Sequence, residues 1–456
     1  MKTHHYIFIS TVLFVILFYN ESIGLNLGIL GISYSVFTII KTPKRNYTKV
    51  FLLLFVTSIL SSLAFAWFVD FASFLALVLS LLLLSFKAKN KKMKSLFLLP
   101  VFVVNVFTFI CRVISFDEWL PKQNTSELWK KIFAFVLIPF IFVAVFFGIY
   151  SVGSSHFANI FKDVELDVNL FQIFALGALG FFIAFNYFNF AVEKFLYKQN
   201  CLLSNDFQQK HKTPKPTYSF LDLNTERLSG IISLISLNVL LIFFIITYNY
   251  EQFYEIVKTP NQLSEETHER VNAVILSIMM AILVIMFYFK SNFNFDPEAG
   301  LLKILAKVWL LLNVVLIFSA ILKNSEYISN YGFTYKRLGV YAFLLLSLIG
   351  LTLTFIKIQY RKTNAFLFNS MSWSFYGIIL VCSFINWGGV ITSQNMKRKD
   401  FAVNYHLNSI NFSEKQLLKY AEDHNDTSLK NKISERVKEH QSASFLSQIL
   451  YYKTLN

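Results

Sequence analysis

Residues 41–94 read KTPKRNYTKVFLLLFVTSILSSLAFAWFVDFASFLALVLSLLLLSFKAKNKKMK. Two apolar runs, 50–69 and 71–86, are separated by little more than Asp70 and flanked by KTPKRNYTK (41–49) and KAKNKKMK (87–94). A helix through a hydrocarbon core of about 30 Å needs about 20 apolar residues, with a range of about 17–25. The pair is therefore a tight helical hairpin in lipid. Its two flanks hold nine Lys or Arg and no acid. Short basic loops beside apolar spans remain cytoplasmic, so the stretch sets both the solvent of the fold and its expected orientation.

Outward from this hairpin the pattern repeats. Further apolar stretches lie at 6–19, 25–40, 95–116, 132–153, 170–192, 231–248, 272–289, 301–322, 338–356 and 372–392. Of the 456 residues, 55% are hydrophobic and 15% charged, whereas soluble domains carry about 25% charge. A single water-soluble core stops growing at about 250–300 residues, so lipid must take up the excess apolar surface. The predicted fold is all-α, a polytopic transmembrane helix bundle with about 11–12 membrane segments and a small helical C-terminal tail. The many Phe residues read as lipid-facing filler rather than as an aromatic tunnel.

Loop charge tests the count. With the N-terminus inside, Glu21 falls outside, 41–49 inside, Asp70 outside and 87–94 inside. If 95–116 crosses fully, acidic loop 154–169 lands inside and basic connector 194–230 outside, which breaks the rule. If 95–116 enters and returns, or lies at the interface, every later loop fits. Acidic loop 249–271 is then outside, loop 357–363 inside and the tail outside. Pro100, Asn105 and Arg112 already make 95–116 a poor ordinary span, because charge in an apolar stretch is costly. Eleven crossings are expected.

The chain divides on this reading into N-terminal membrane helices (1–130), the start of a membrane core (131–193), a cytoplasmic linker (194–230), a C-terminal helix bundle (231–392) and a polar helical tail (393–456). KHKTPKPT at 210–217 cannot be one continuous helix, because Pro214 and Pro216 break it. In the tail, Ser413 with Gln416 forms a capping box for a helix from about Glu414. Leu429, Ile433 and Val437 mark a second, amphipathic helix, and Phe445 to Tyr452 a third. The N-terminus, with Lys2 and a run from Tyr6 to Tyr19 but no small-residue cleavage site, reads as a signal anchor.

The net charge of +15 sits mainly in short loops, which excludes a nucleic-acid partner and fits anionic lipid headgroups. The three cysteines, Cys111, Cys201 and Cys382, have no metal-ligand spacing and form no disulfide framework. No cofactor, metal or catalytic set is expected, and no phosphate-binding loop, dinucleotide fingerprint or nucleophile elbow occurs. His268-Glu269 lacks the second histidine of a zinc protease, since position 272 is Asn; SEETHE at 264–269 more simply caps the helix that follows.

The stretch YGFTYKR, Tyr331 to Arg337, breaks two local rules. Lys336 and Arg337 lie on the expected outer side, and they open a helix whose dipole opposes positive charge. Such double violations mark functional or specifically paired sites. Arg337 or Lys336 is expected to pair with Glu265 or Glu269. The candidate outer-face polar cluster is Glu265, His268, Glu269, Tyr331, Thr334, Lys336 and Arg337. Within the spans, Asn186, Asn189, Asn238 and Asn313 are expected to hydrogen-bond between helices, Asn238 and Asn313 being the intramembrane polar candidates.

SEETHE at 264–269, NFNF at 292–295, YGFTYKRLGVY at 331–341, KI at 357–358 and NW at 386–387 resemble the bacterial multi-pass proteins grouped as domain of unknown function 4173 (4153-like), especially those of Bacteroidota. The resemblance covers roughly 132–395, including 132–153 with the GSSHFAN that follows. After Asn386-Trp387 this chain has Gly388 where the resemblance leads one to expect an acid, which puts any site using that acid in doubt. The resemblance implies a membrane protein and little chemistry; with the loop charges, the expectation is a bacterial inner-membrane protein with a cytoplasmic N-terminus and an extracytoplasmic C-terminus.

The leading expectation is a non-enzymatic scaffold, assembly or signalling component, with a protein partner met through the tail or the 194–230 linker. The alternatives are a transporter or lipid-handling protein with a groove between helix bundles, and a membrane enzyme acting on a lipid-linked substrate around His268, Glu269 and Arg337.

Overall fold

The computed structural model describes residues 2–90, 92–120, 135, 138–154, 169–207, 216, 220, 222–254, 260–289 and 292–455, all helix, turn or loop apart from one isolated bridge between Asp206 and Lys362. The chain forms two compact units. One comprises residues 1–93, 97–194 and 440–453; the other 94–96, 195–439 and 454–456. Eight helices among the described residues are long and apolar enough to cross a membrane, and three shorter apolar helices accompany them. This is an all-α polytopic membrane protein.

The first unit begins with α1 (Thr3–Phe18), α2 (Leu25–Lys41), α3 (Lys49–Phe68) and α4 (Phe71–Lys89). Between α3 and α4, Val69 takes the left-handed conformation and Asp70 caps α4, accepting from the Ser73 amide at 2.7 Å. The hairpin is as tight as the sequence requires. In lipid, helices gain little from apolar burial against one another and rely on close contact between small residues. Accordingly Gly28 and Gly31 of α2 lie on Ser62 and Ala66 of α3, and Ser35 donates to Ser58 at 2.8 Å. A Cβ on Gly31 would collide with the Ser62 hydroxyl.

Residues 95–116 do not form one span. A 3₁₀ turn leads into α5 (Leu98–Phe107), which breaks at Thr108 before α6 (Phe109–Ile114) and a single turn, α7 (Phe116–Trp119). Pro100 sits in the first turn of α5, where a missing N–H costs nothing. After α8 (Ile138–Gly153), α9 (Leu170–Phe188) packs along α1. Asn105 and Arg112, the two residues that spoil the apolar stretch, both bind the end of α9. Asn105 exchanges hydrogen bonds with the main chain of Ala191 at 2.7 Å, and Arg112 donates to the carbonyls of Asn189 and Asn105 at 2.8 Å and to the Asn186 side chain.

The second unit opens with α10 (Lys194–Leu202). Its core is formed by α11 (Leu223–Tyr254), α12 (Pro260–Tyr288), α13 (Gly300–Tyr331) and α14 (Tyr335–Gln359), with α15 (Asn364–Cys382) packed on α14. Lys357 is fully buried and donates to the Phe289 carbonyl at 2.6 Å, closing the C-terminal end of α12. The last apolar stretch is displaced from its expected place. The long helix runs 364–382, and 372–392 straddles its end, a turn at 383–386 and the start of α16 (Trp387–Asn395). Most of 210–217 lies outside the described residues, but Asn205 and Asp206 just before it bond Thr363 and Lys362.

The tail continues as α17 (Val403–Ser409), α18 (Glu414–Asp423), α19 (Thr427–Gln441) and a final turn, α20 (Leu450–Lys453). Leu429, Ile433 and Val437 are buried, as their spacing requires. The capping box at Ser413 is not formed: the hydroxyl donates instead to the Ile410 carbonyl at 3.1 Å, because Ser413 itself has helical backbone angles. Phe445 to Tyr452 is a 3₁₀ turn and a short helix rather than one helix.

Candidate functional site

The YGFTYKR stretch joins α13 to α14 in the second unit. Gly332 ends α13 with φ 79° and ψ 177°, a conformation open essentially to glycine alone. Thr334 caps α14, its hydroxyl accepting from the Arg337 amide. The Arg337 side chain then turns back. It donates to the carbonyl of Tyr331 at 2.8 Å and to that of Gly332, and its guanidinium lies 3.9 Å above the Tyr327 ring. The charge is misplaced for its own helix and well placed for the one before, whose C-terminal carbonyls carry the negative end of the dipole. Arg398 serves the same helix end, donating to the carbonyls of Ile328, Ser329 and Asn330 and pairing with Asp400 at 2.9 Å.

The remaining polar groups of this joint come from the tail. Asn395, at the end of α16, accepts from the Phe333 amide at 2.7 Å and donates to the Phe333 carbonyl at 2.9 Å. A Cβ on Gly332 would lie 2.7 Å from the Asn395 carbonyl oxygen. The second proton of the Asn395 amide reaches His406 Nε2 at 3.1 Å, and His406 Nδ1 meets the Thr392 hydroxyl at 2.9 Å. Since Asn395 donates, Nε2 is the acceptor and Nδ1 carries the proton: the ring is neutral. Burial pushes the imidazole down to about 4. Protonating Nε2 would set two donors face to face.

Gly388 belongs to the same joint. A Cβ there would overlap the Asn411 carbonyl, so an acid does not fit at this position without moving the chain. Asn386 caps α16 and donates to the Phe412 carbonyl at 3.0 Å.

The joint thus unites Tyr331, Thr334 and Arg337 of the expected cluster. Lys336 is exposed. The side chains of Glu265, His268 and Glu269 lie outside the described residues; the backbone there is helical, so SEETHE falls inside α12 rather than ahead of it. Asn238 bridges helices, donating from α11 to the Leu305 carbonyl of α13 at 3.2 Å, while Asn313 among the described residues donates within its own helix, to Trp309 at 2.8 Å. An open groove of about 580 Å³ on α11 and α12 is apolar, lined by residues such as Met280, Leu283 and Phe287, and includes neither asparagine. No group of metal-ligating side chains occurs among the described residues. Asn395, His406 and Arg398 escape a reading of the sequence. The one available signal is the three-residue spacing of Thr392 and Asn395, which places both on one helix face.

No curated protein and no solved structure matches the chain. A family model does, over residues 48–419, further at both ends than the stretch whose motifs carry the resemblance. The chain belongs to the family described as domain of unknown function (DUF4153).

Proposed function

We propose that this integral membrane protein is non-enzymatic, a scaffold, assembly or signalling component that holds its polar tail on the outer side of the inner membrane for a protein partner. One observation carries the reading. The polar side chains described at the α13–α14 joint close the end of α13 and anchor the tail to it: Arg337 on the carbonyls of Tyr331 and Gly332, Arg398 of the tail on those of Ser329 and Asn330, Asn395 on Phe333, and His406 neutral between Thr392 and Asn395. A catalytic site needs convergent groups with room for a reacting atom between them, and here each group is satisfied by its neighbours. The anchored tail offers a charged face on α19, where Lys432, Glu435 and Lys438 are exposed opposite its buried stripe.

The test is photo-cross-linking in cells from residues 432, 435 and 438 of the full chain. A discrete heavier product, weakened when Asn395→Leu loosens the joint, is expected. Turnover of a lipid-linked substrate by the purified chain, abolished by His268→Ala, overturns the reading in favour of an enzyme.

A further inference from the structure

The C-terminal end of α9 in the first unit is ringed by cations. Lys41 of α2 donates to the Phe188 carbonyl at 2.6 Å, Lys89 of α4 to the Phe190 carbonyl, and Arg112 to the Asn189 carbonyl at 2.8 Å. One helix terminus carries only about half a negative charge, so three full positive charges exceed what the cap requires. None of the three has an ion-pair partner among the described residues. Glu193 acts on Arg112 from longer range, whereas the charged neighbours felt by Lys41 and Lys89 are cations.

Between the ends of α2 and α4 lies a partly open pocket of about 280 Å³, lined by Lys41, Lys89, Thr42, Asn46, Ser85 and Ala88 among others. Each ammonium has three donors, and each has one hydrogen-bond partner among the described residues, a carbonyl. Each ammonium also lies over an aromatic ring, Phe188 at 5.3 Å for Lys41 and Phe190 at 4.9 Å for Lys89, and the donors that meet no oxygen among the described residues are left for a guest. Lys41 is half-buried and Lys89 stands at the exposed rim, so a guest enters past one and rests on the other.

We propose that this pocket binds a phosphate group, carried by an anionic phospholipid headgroup or by a soluble phosphate. Two lysines without an acid select a compact anion, and lysine binds phosphate as a point charge. Small-molecule pockets run to about 300–1,000 Å³, so this one suits a headgroup and not a whole lipid. It sits at the end of the apolar helices that the basic loops assign to the cytoplasmic leaflet, where anionic lipids concentrate. Ile40, one residue before Lys41, is exposed on the flank of α2, in reach of an acyl chain. The inference goes beyond the scaffold reading and does not depend on it.

The experiment is native mass spectrometry of the full chain released from detergent, with phosphatidylglycerol, phosphatidylcholine or inorganic phosphate added. Wild type is expected to retain phosphatidylglycerol over phosphatidylcholine. Lys41→Gln/Lys89→Gln should weaken that retention roughly tenfold or more, the scale set by two lysines at an anionic surface. Ala88→Trp, which fills the pocket and leaves both lysines in place, should do the same and decides the matter if the double variant fails to fold. Displacement of the lipid by millimolar inorganic phosphate identifies a soluble phosphate as the guest; persistence identifies the lipid. Equal retention of both lipids by wild type, or unchanged retention in either folded variant, overturns the proposal.

Discussion

The C-terminal ends of α9 and α13 pose the same problem and are closed differently. Both leave carbonyls without helical partners, and both are met by cations: Lys41, Lys89 and Arg112 at α9, Arg337 and Arg398 at α13. At α13 an acid, Asp400, and an amide, Asn395, complete the set, and the tail covers the joint. At α9 no acid pairs with the cations among the described residues, and a pocket remains beside the lysines. The same capping chemistry gives a sealed joint in one unit and an open basic pocket in the other. Amides accompany the charges at both ends, Asn105 and Asn186 at α9 and Asn395 at α13; the difference lies in the acid that pairs with Arg398 and in the tail that covers the joint.

The comparison is broken most forcefully at Asn395. Asn395→Leu orphans the Phe333 amide and carbonyl and the His406 ring together, at about 1–3 kcal/mol for each buried group left unpaired. Residues 396–439 should then become accessible to protease in the full chain; unchanged protection would mean that the joint is held elsewhere. Arg112→Met comes next. It removes the cation tying α6 to the end of α9 and should lower the thermal midpoint by the equivalent of about 2–3 kcal/mol, since hydrogen bonds to charged groups are worth about 1.5–3 kcal/mol. Gly332→Ala should cost about 1–3 kcal/mol through backbone strain and contact with Asn395. Comparing Gly332→Ala in the wild-type and Asn395→Gly backgrounds separates the two causes in a melting experiment, because the second background removes the contact and leaves the strain.

The pH dependence sharpens the contrast. His406 has its folded value depressed to about 4 from the usual 6.5, by burial. The unfolded or released tail therefore takes up a proton first. The stability that the neutral ring contributes is complete above about 6.5 and declines as pH falls toward 4, by at most about 1.4 kcal/mol per pH unit. Hydrogen exchange of α16 and α17 should rise across that window and lose this dependence in His406→Asn. The smallest effect is expected at Asn313. Its carbonyl oxygen is buried without a partner among the described residues. Asn313→Leu should change stability by no more than about 1 kcal/mol, in either direction. A clear loss of stability on melting would show that the amide is satisfied after all.

How legible the molecule is depends on what carries the signal. The α3–α4 hairpin is plain in the sequence, because Asp70 is a side-chain cap between two apolar runs. The irregularity of 95–116 is plain for a related reason: Asn105 and Arg112 are costly in lipid unless they have partners there, and both bind the end of α9. The last long helix is misplaced by the sequence reading because hydropathy averages over turns. Asn364, Asn369, Ser370 and Ser372 depress its first half, while the apolar residues of α16 extend the peak past the break at 383–386. At the candidate site the anomaly of Arg337 is visible and its partners are not. Those partners are main-chain carbonyls, which every residue has, so no sequence pattern announces them. Asn395 and His406 stay hidden because a hydrogen-bonded pair eleven residues apart, across a turn, has no periodic signature.

The loop after α1 in the first unit is completed by the far end of the chain. The Ser22 amide donates to the Ser447 hydroxyl at 2.8 Å, the Leu25 amide to the Gln448 carbonyl at 2.9 Å, and the Glu21 carboxylate, held below its usual range by these hydroxyls, accepts from Ser444 and Ser447. Gly24 is without a side chain because the Ser447 main chain lies where a Cβ would be. Ser22 and Ser447 are 425 positions apart. At about 5–20 residues per second of synthesis, the first loop waits on the order of 20–90 seconds for its last partner. Helices α1 and α2 therefore enter the bilayer with the loop between them unfinished, and that loop closes only once residues 444–448 have been made.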